Sequence, residues 1–166
     1  MTLRSKLGAA LLIVTAVGCS KDSTAPVNVV CTVTLSGALT NSATCSTPIA
    51  ALYTASNDSS TVSGGLIGTP ALAVNIKSKG IPKKGTFHSN DAGALGFVSA
   101  SSGANGWIAQ TTGVVGGGAA TGSWTLVLTS VTEAPAGSGI YLLHGSVDAT
   151  MNPFGGGTVL TGHVTF

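Results

Sequence analysis

The sequence predicts an all-β protein, an antiparallel β-sandwich of about eight or nine short strands, with a small β-barrel as the alternative. Charged residues make up only 7% of the chain, whereas Gly (24 residues), Ser and Thr are abundant. This composition suits strands and tight turns better than exposed helices, whose outer faces are usually rich in charge. Apolar and polar residues also alternate with a period of two along several segments, which is the pattern of half-buried strands.

The alternation and the turn residues between segments place the strands. Leu72, Val74 and Ile76 alternate with more polar neighbours, and 123–132 is the strongest β run because both of its faces carry strand-favouring residues. Asn105-Gly106 is a turn signal, since this pair tolerates two positive φ values. We interpret 55–65 and 113–122 as loops. The predicted strands are 29–36, 44–54, 71–78, 86–88, 95–100, 106–111, 123–132, 140–150 and 158–166.

The N-terminal segment has the character of an export signal. Arg4 and Lys6 precede an apolar run over 7–17, followed by the small residue Gly18. This order is typical of a secretory signal peptide. The apolar run is too short to span a bilayer, which takes roughly 20 residues.

The segment Ala16-Val17-Gly18-Cys19 resembles the lipobox of bacterial lipoproteins. In that family the cysteine thiol is lipidated and becomes the mature N-terminus, so the resemblance implies a membrane anchor on Cys19. The commonest family residue three positions before the cysteine is Leu, and here it is Ala16. Ser20 rather than Asp after the cysteine implies sorting to the outer membrane, on either its periplasmic or its surface-exposed side. The alternative is an ordinary secretory signal with an incidental cysteine.

These observations divide the chain into three parts. Residues 1–18 are the predicted lipoprotein signal peptide, 19–28 a flexible tether, and 29–166 a single all-β domain. The shape expected for this domain resembles that of the many small β-sandwich lipoproteins of unassigned role.

The charge balance bears on possible partners. Without residues 1–18 the chain has five Lys, five acidic residues and no Arg. Nucleic-acid binding needs a basic face and usually Arg, so nucleic acid is disfavoured as a partner. Four of the five lysines lie within 77–84, which we interpret as a solvated basic turn.

Cys31 and Cys45 are the two cysteines beyond the lipobox, and they predict a disulfide. A turn centred near Ala38 places residues whose numbers add to about 76 opposite each other, as these two do. Opposed residues on antiparallel strands are close enough for a disulfide. The alternative of a metal or redox pair lacks a C-x-x-C spacing and a nearby His.

His144, His163 and Asp148 form a candidate metal site. If the last hairpin turns near 153–154, residue numbers adding to about 307 lie opposite each other, which would make the two histidines neighbours. Asp148 is on the same face of its strand as His144. Two His and one carboxylate are zinc ligands. The alternative is a polar solvent-facing surface, because Asp148 would lie roughly 13 Å from His144 along the strand.

Trp107 is a candidate ligand-binding residue, since it could form a sugar-stacking platform with Trp124; the alternative is that both are core residues. Nothing in the sequence indicates the converging carboxylate pair of a glycoside hydrolase.

The sequence therefore favours a non-enzymatic lipoprotein without a cofactor, acting by contact with an envelope protein, glycan or surface. The alternative is a metal-binding protein or metal-dependent enzyme that uses His144 and His163.

Overall fold

The computed structural model describes residues 30–114 and 118–166. The predicted signal peptide, the predicted tether and Cys19 lie outside the described residues. Within the described ranges 63% of the residues are in strands, and the one helix is a three-residue 3-10 helix at Ala55–Asn57. No helix in these ranges is long and apolar enough to cross a membrane.

The described residues form eleven strands. In chain order they are β1 (Thr32–Gly37), β2 (Asn41–Thr44), β3 (Thr47–Thr54), β4 (Ser59–Leu66), β5 (Ala71–Lys79), β6 (Gly85–His88), β7 (Leu95–Ser102), β8 (Asn105–Gln110), β9 (Ser123–Glu133), β10 (Ile140–Pro153) and β11 (Leu160–Thr165).

The strands form two antiparallel layers that share β10. The first layer has the order β2-β1-β11-β10-β9-β6, and the second has the order β3-β4-β5-β7-β8. The start of β10 pairs with β3 through Ile140–Leu142, and its end pairs with β8 through Asn152 and Pro153. Six strands form a closed ring of hydrogen-bonded neighbours, in the order β10, β3, β4, β5, β7 and β8. The other strands of the first layer lie outside this ring, so the fold is a sandwich rather than a simple barrel. The predicted all-β class is confirmed.

The core lies between the two layers. The alternating side chains of β5 and β9 point into it, and Leu72, Val74, Trp124 and Leu126 are all 3% exposed or less. The layers also meet through a hydrogen bond, in which the Trp124 indole N–H donates to the Gly96 carbonyl oxygen at 3.4 Å. Burial of these apolar side chains is the main stabilising contribution in a fold of this kind.

The predicted disulfide between Cys31 and Cys45 is confirmed. The two Cα atoms are 5.2 Å apart, and the Cys45 backbone N–H donates to the Cys31 carbonyl at 2.8 Å. β1 and β2 pair in the register that the sequence predicts, with Thr32 opposite Thr44. Closing a loop with a sequence separation of 14 residues stabilises the fold by about 3 kcal/mol in the chain-entropy model.

The prediction of a loop over 55–65 is wrong, because most of this segment is β4. The segment is rich in Ser and Gly, which is why its strand pattern is weak in the sequence. Two of its residues nevertheless face inward, since Ser60 and Val62 are 0% and 2% exposed. The Ser60 hydroxyl donates to the Gly80 carbonyl at 2.5 Å, which satisfies its buried polar group. Pairing with β3 and β5 on both sides holds this segment as a strand despite its weak β propensity.

The turn predicted at Asn105-Gly106 lies two residues earlier. Ser102 pairs with Asn105, so Gly103 and Ala104 form the two-residue turn between β7 and β8. Gly103 has a φ of +60° and Ala104 has no positive φ. This pattern matches a type II′ hairpin turn, which requires Gly at its first central position.

The shared strand β10 passes from one layer to the other at Gly145. Residues before it pair with β3, residues 146–151 pair with β11, and the register against β9 shifts between His144 and Gly145. A Cβ atom on Gly145 would overlap the Val127 carbonyl oxygen. Glycine is therefore required here for a close approach of two backbones.

We expect Gly145→Ala to lower the free energy of unfolding by about 1–3 kcal/mol, because backbone rather than a flexible side chain must move. The matched control is Gly155→Ala, where an added Cβ meets nothing within 4 Å and the change should stay within about 0.5 kcal/mol. Urea unfolding of the two variants measures the difference. Equal stability of both variants would contradict this role of Gly145.

Candidate ligand-binding groove

A groove of about 410 Å³ opens between the two layers, where β4 and β5 face β6 and β9. Its volume is within the range of small-molecule sites, which measure about 300–1,000 Å³. Six apolar side chains form its wall: Val62, Ile76, Phe87, Trp124, Leu126 and Leu128.

The apolar wall follows from the strand pattern. Val62 on β4 pairs with Ile76 on β5, and Phe87 on β6 pairs with Leu126 on β9. Each pair places two apolar side chains side by side on the inner face of its layer. Phe87 is only partly buried, so the wall reaches the opening of the groove with an aromatic ring.

Trp124 lies at the inner side of the groove as a core residue, 2% exposed, and its polar groups already have partners. The indole N–H donates to the Gly96 carbonyl, and the backbone N–H donates to the Ser89 hydroxyl at 3.2 Å. An indole whose N–H is satisfied behaves as a large apolar surface.

Charged residues lie around the opening of the groove. Lys77, Lys79 and Lys83 line it together with a single acidic residue, Asp91, and all four are exposed. Within the described ranges, no lysine nitrogen lies within 4 Å of a carboxylate oxygen. Asp91 instead accepts the His88 backbone N–H at 2.6 Å. Lys77 and Lys79 alternate with the buried Ile76 on β5 and line a second depression together with Asp58. Lys83 is therefore the lysine that stands beside Asp91 at the opening of the groove.

The connections on either side of β6 position this opening. The segment 80–84 carries the chain from the second layer to the first, and 89–94 carries it back. Of the lysines that the sequence places in a solvated turn over 77–84, Lys77 and Lys79 belong to β5, and Lys83 and Lys84 lie in the connection to β6. Sequence reasoning missed this groove, because no single-strand pattern shows that β6 and β9 stand opposite β4 and β5.

The candidate metal residues lie elsewhere, on the outer face of the first layer. His163 pairs with Asp148, and its Nδ1 is 2.5 Å from the Asp148 Oδ1. His144 pairs with Ser130, about four residues along the strand and so roughly 13 Å away. The expected register between His144 and His163 is wrong. The end of β10 pairs with β8, so β11 begins only at Leu160, opposite Met151.

The outer face around His163 is a row of polar side chains. Register places Thr34, His163, Asp148, Thr125 and His88 side by side across five strands. His88 Nδ1 is 3.2 Å from the Thr125 hydroxyl. The side chains of His163 and Asp148 are 48% and 58% exposed, so their ion pair contributes at most about 1 kcal/mol.

Trp107 is a core residue, the alternative that the sequence left open. It is 6% exposed, and its indole N–H donates to the Thr158 carbonyl at 3.0 Å. The exposed apolar side chains near this end of the sheet are instead Ile67 and Phe154, which are 72% and 69% exposed. They flank an open depression on the outer face of the second layer.

No protein-family model, curated protein or solved structure matches the chain. The groove and the N-terminal segment are therefore the features that bear on function.

We expect the protein to bind zinc no more tightly than its His163→Ala variant. His163 has one neighbouring carboxylate, and the described residues contain no group of three or more His, Cys, Asp or Glu side chains that could hold a metal ion. Protein zinc sites normally use at least three such ligands. Isothermal titration with zinc tests this, and stoichiometric binding that His163→Ala abolishes would restore the metal-protein alternative.

Proposed function

We propose that the protein is a lipid-anchored lipoprotein of the outer membrane, and that its β domain works by binding rather than by catalysis. In this proposal Cys19 carries the lipid, and the groove between the layers takes a ligand from the cell envelope.

The observation that carries the binding role is the apolar groove. A soluble β-sandwich normally closes its two layers over a continuous core. Here a space of about 410 Å³ lies beside the partly buried Phe87 and reaches the core residues Trp124 and Leu128, which are 2% and 4% exposed. A well-formed apolar pocket with a few polar groups at its edge is the usual form of a binding site.

The anchor is supported by the sequence Ala16-Val17-Gly18-Cys19 after a short apolar run. Several acyl chains on one cysteine provide stable attachment, because each buried methylene contributes about 0.8 kcal/mol. The segment between Cys19 and the first strand then allows the domain to stand off the bilayer.

Intact mass of the native product tests the anchor. We expect cleavage before Cys19 and added acyl mass, both absent in Cys19→Ala. The matched control is Ser23→Ala, a nearby change outside the lipobox that should leave processing and lipid unchanged. A native product with an unmodified Cys19 thiol would refute the anchor.

The neutral apolar dye Nile red tests the groove. We expect the purified full chain to bind one dye molecule at the groove, with enhanced fluorescence, because the wall excludes water. Ala92→Trp adds an indole at the exposed rim and should weaken this binding about tenfold or more, a loss of at least about 1.4 kcal/mol.

The control for the dye experiment is Ala136→Trp, which adds the same side chain to the exposed turn between β9 and β10. All three proteins share the N-terminal segment, so a difference between the two variants reports on the groove alone. Equal dye binding by both variants would contradict a binding role for the groove.

A further inference from the structure

We propose that the outer face of the second layer binds the same face of a second copy of this chain, which gives a symmetric dimer. The surface consists of the outward side chains of β3, β4, β5, β7 and β8, with Ile67, Ile140 and Phe154 beside them. Such a dimer would form with or without a ligand in the groove, so it goes beyond the proposed function.

Exposed apolar side chains are concentrated on this face. Register places Ile140, Leu52 and Leu95 in one row across the strands, which we call the ridge. These three side chains are 44%, 54% and 47% exposed. At the opposite end of the strands, Ile67 and Phe154 are still more exposed. Apolar surface gathered on one face of a protein marks an interaction site.

The face has a hollow at the end away from the ridge. The hollow has a volume of about 580 Å³ and is lined by Gly65, Ala73 and Ser99, which lie side by side in adjacent strands. Lys77, in the ridge row, is four residues from Ala73 along β5, so the two rows are roughly 13 Å apart. A half-turn about an axis that crosses the strands midway places the ridge of each copy over the hollow of the other, so that each contact is made twice.

The polar groups of this face fit a protein partner better than a lipid surface. Among the described residues, the five strands of the second layer carry two charged side chains, Lys77 and Lys79, near one end of β5. The centres of protein interfaces are likewise poor in charge. The middle row contains Ser63 and Asn75. An amide both donates and accepts, so Asn75 can pair with the same residue of a second copy, whereas hydrocarbon would leave it without a partner.

The face is large enough for a stable dimer. Its five strands have six to nine residues each. With strands about 4.8 Å apart and a rise of about 3.3 Å per residue, the face measures about 24 by 26 Å, or about 600 Å² on each copy. Two copies would therefore bury about 1,200 Å², which reaches the range of about 1,200–2,000 Å² for specific interfaces.

Sedimentation equilibrium of the purified full chain tests the dimer, in a density-matched nonionic detergent that keeps the apolar N-terminal segment dispersed. We expect a reversible dimer whose dissociation constant rises at least tenfold in Leu52→Glu, because the charge replaces an apolar contact twice. Thr34→Glu adds the same charge on the outer face of the first layer and should leave the dissociation constant unchanged. Both positions are exposed, so both variants should fold, which circular dichroism checks.

Photo-cross-linking tests the contact itself. A chain with p-benzoylphenylalanine in place of Leu95 is mixed with an unsubstituted chain that carries a different affinity tag, and the mixture is irradiated. We expect a product that carries both tags, with the adduct within 97–108 of the second copy, at its hollow. The same photoreactive residue in place of Thr34 should give no doubly tagged product.

The contrary outcomes are separate from those of the groove. A monomer at all concentrations, or equal effects of Leu52→Glu and Thr34→Glu, would overturn the dimer while Nile red binding still upheld the groove. Adducts to detergent alone from position 95, or equal doubly tagged product from both positions, would overturn this face as the contact. An adduct that joins position 95 to the ridge of the second copy would overturn the arrangement of ridge over hollow.

Discussion

The fold depends on the backbone hydrogen bonds of β10, the one strand that belongs to both layers. Its start pairs with β3 and its end with β8, while its middle pairs with β11 and β9. Gly145 allows this change of partner, because any side chain there would collide with the backbone of Val127. The relative position of the layers, and hence the width of the space between β5 and β9, is set through this strand.

The groove and the charge distribution are linked by the connections around β6. A charge-poor chain has little electrostatic means of attracting a ligand, and this chain concentrates all its described lysines at one place. That place is the end of β5, which carries Lys77 and Lys79, together with the connection to β6, which carries Lys83 and Lys84.

The sequence predicts those features that depend on local pattern. The inward faces of β5 and β9 and the Cys31–Cys45 pairing follow from a period of two and from one short hairpin. β4 is missed because its strand state comes from neighbours on both sides rather than from its own residues. The predicted pairing of His144 with His163 is wrong because the end of β10 pairs with β8, which is distant in sequence. The groove is missed for the same reason, since it exists only once the layers face each other.

The two ends of the first layer are β2 and β6, and each is only four residues long. The second layer has its outer strands, β3 and β8, joined to β10. Short edge strands offer little length for a neighbouring molecule to extend. The short strands at the two ends of the first layer therefore limit how far neighbouring copies could pair edge to edge.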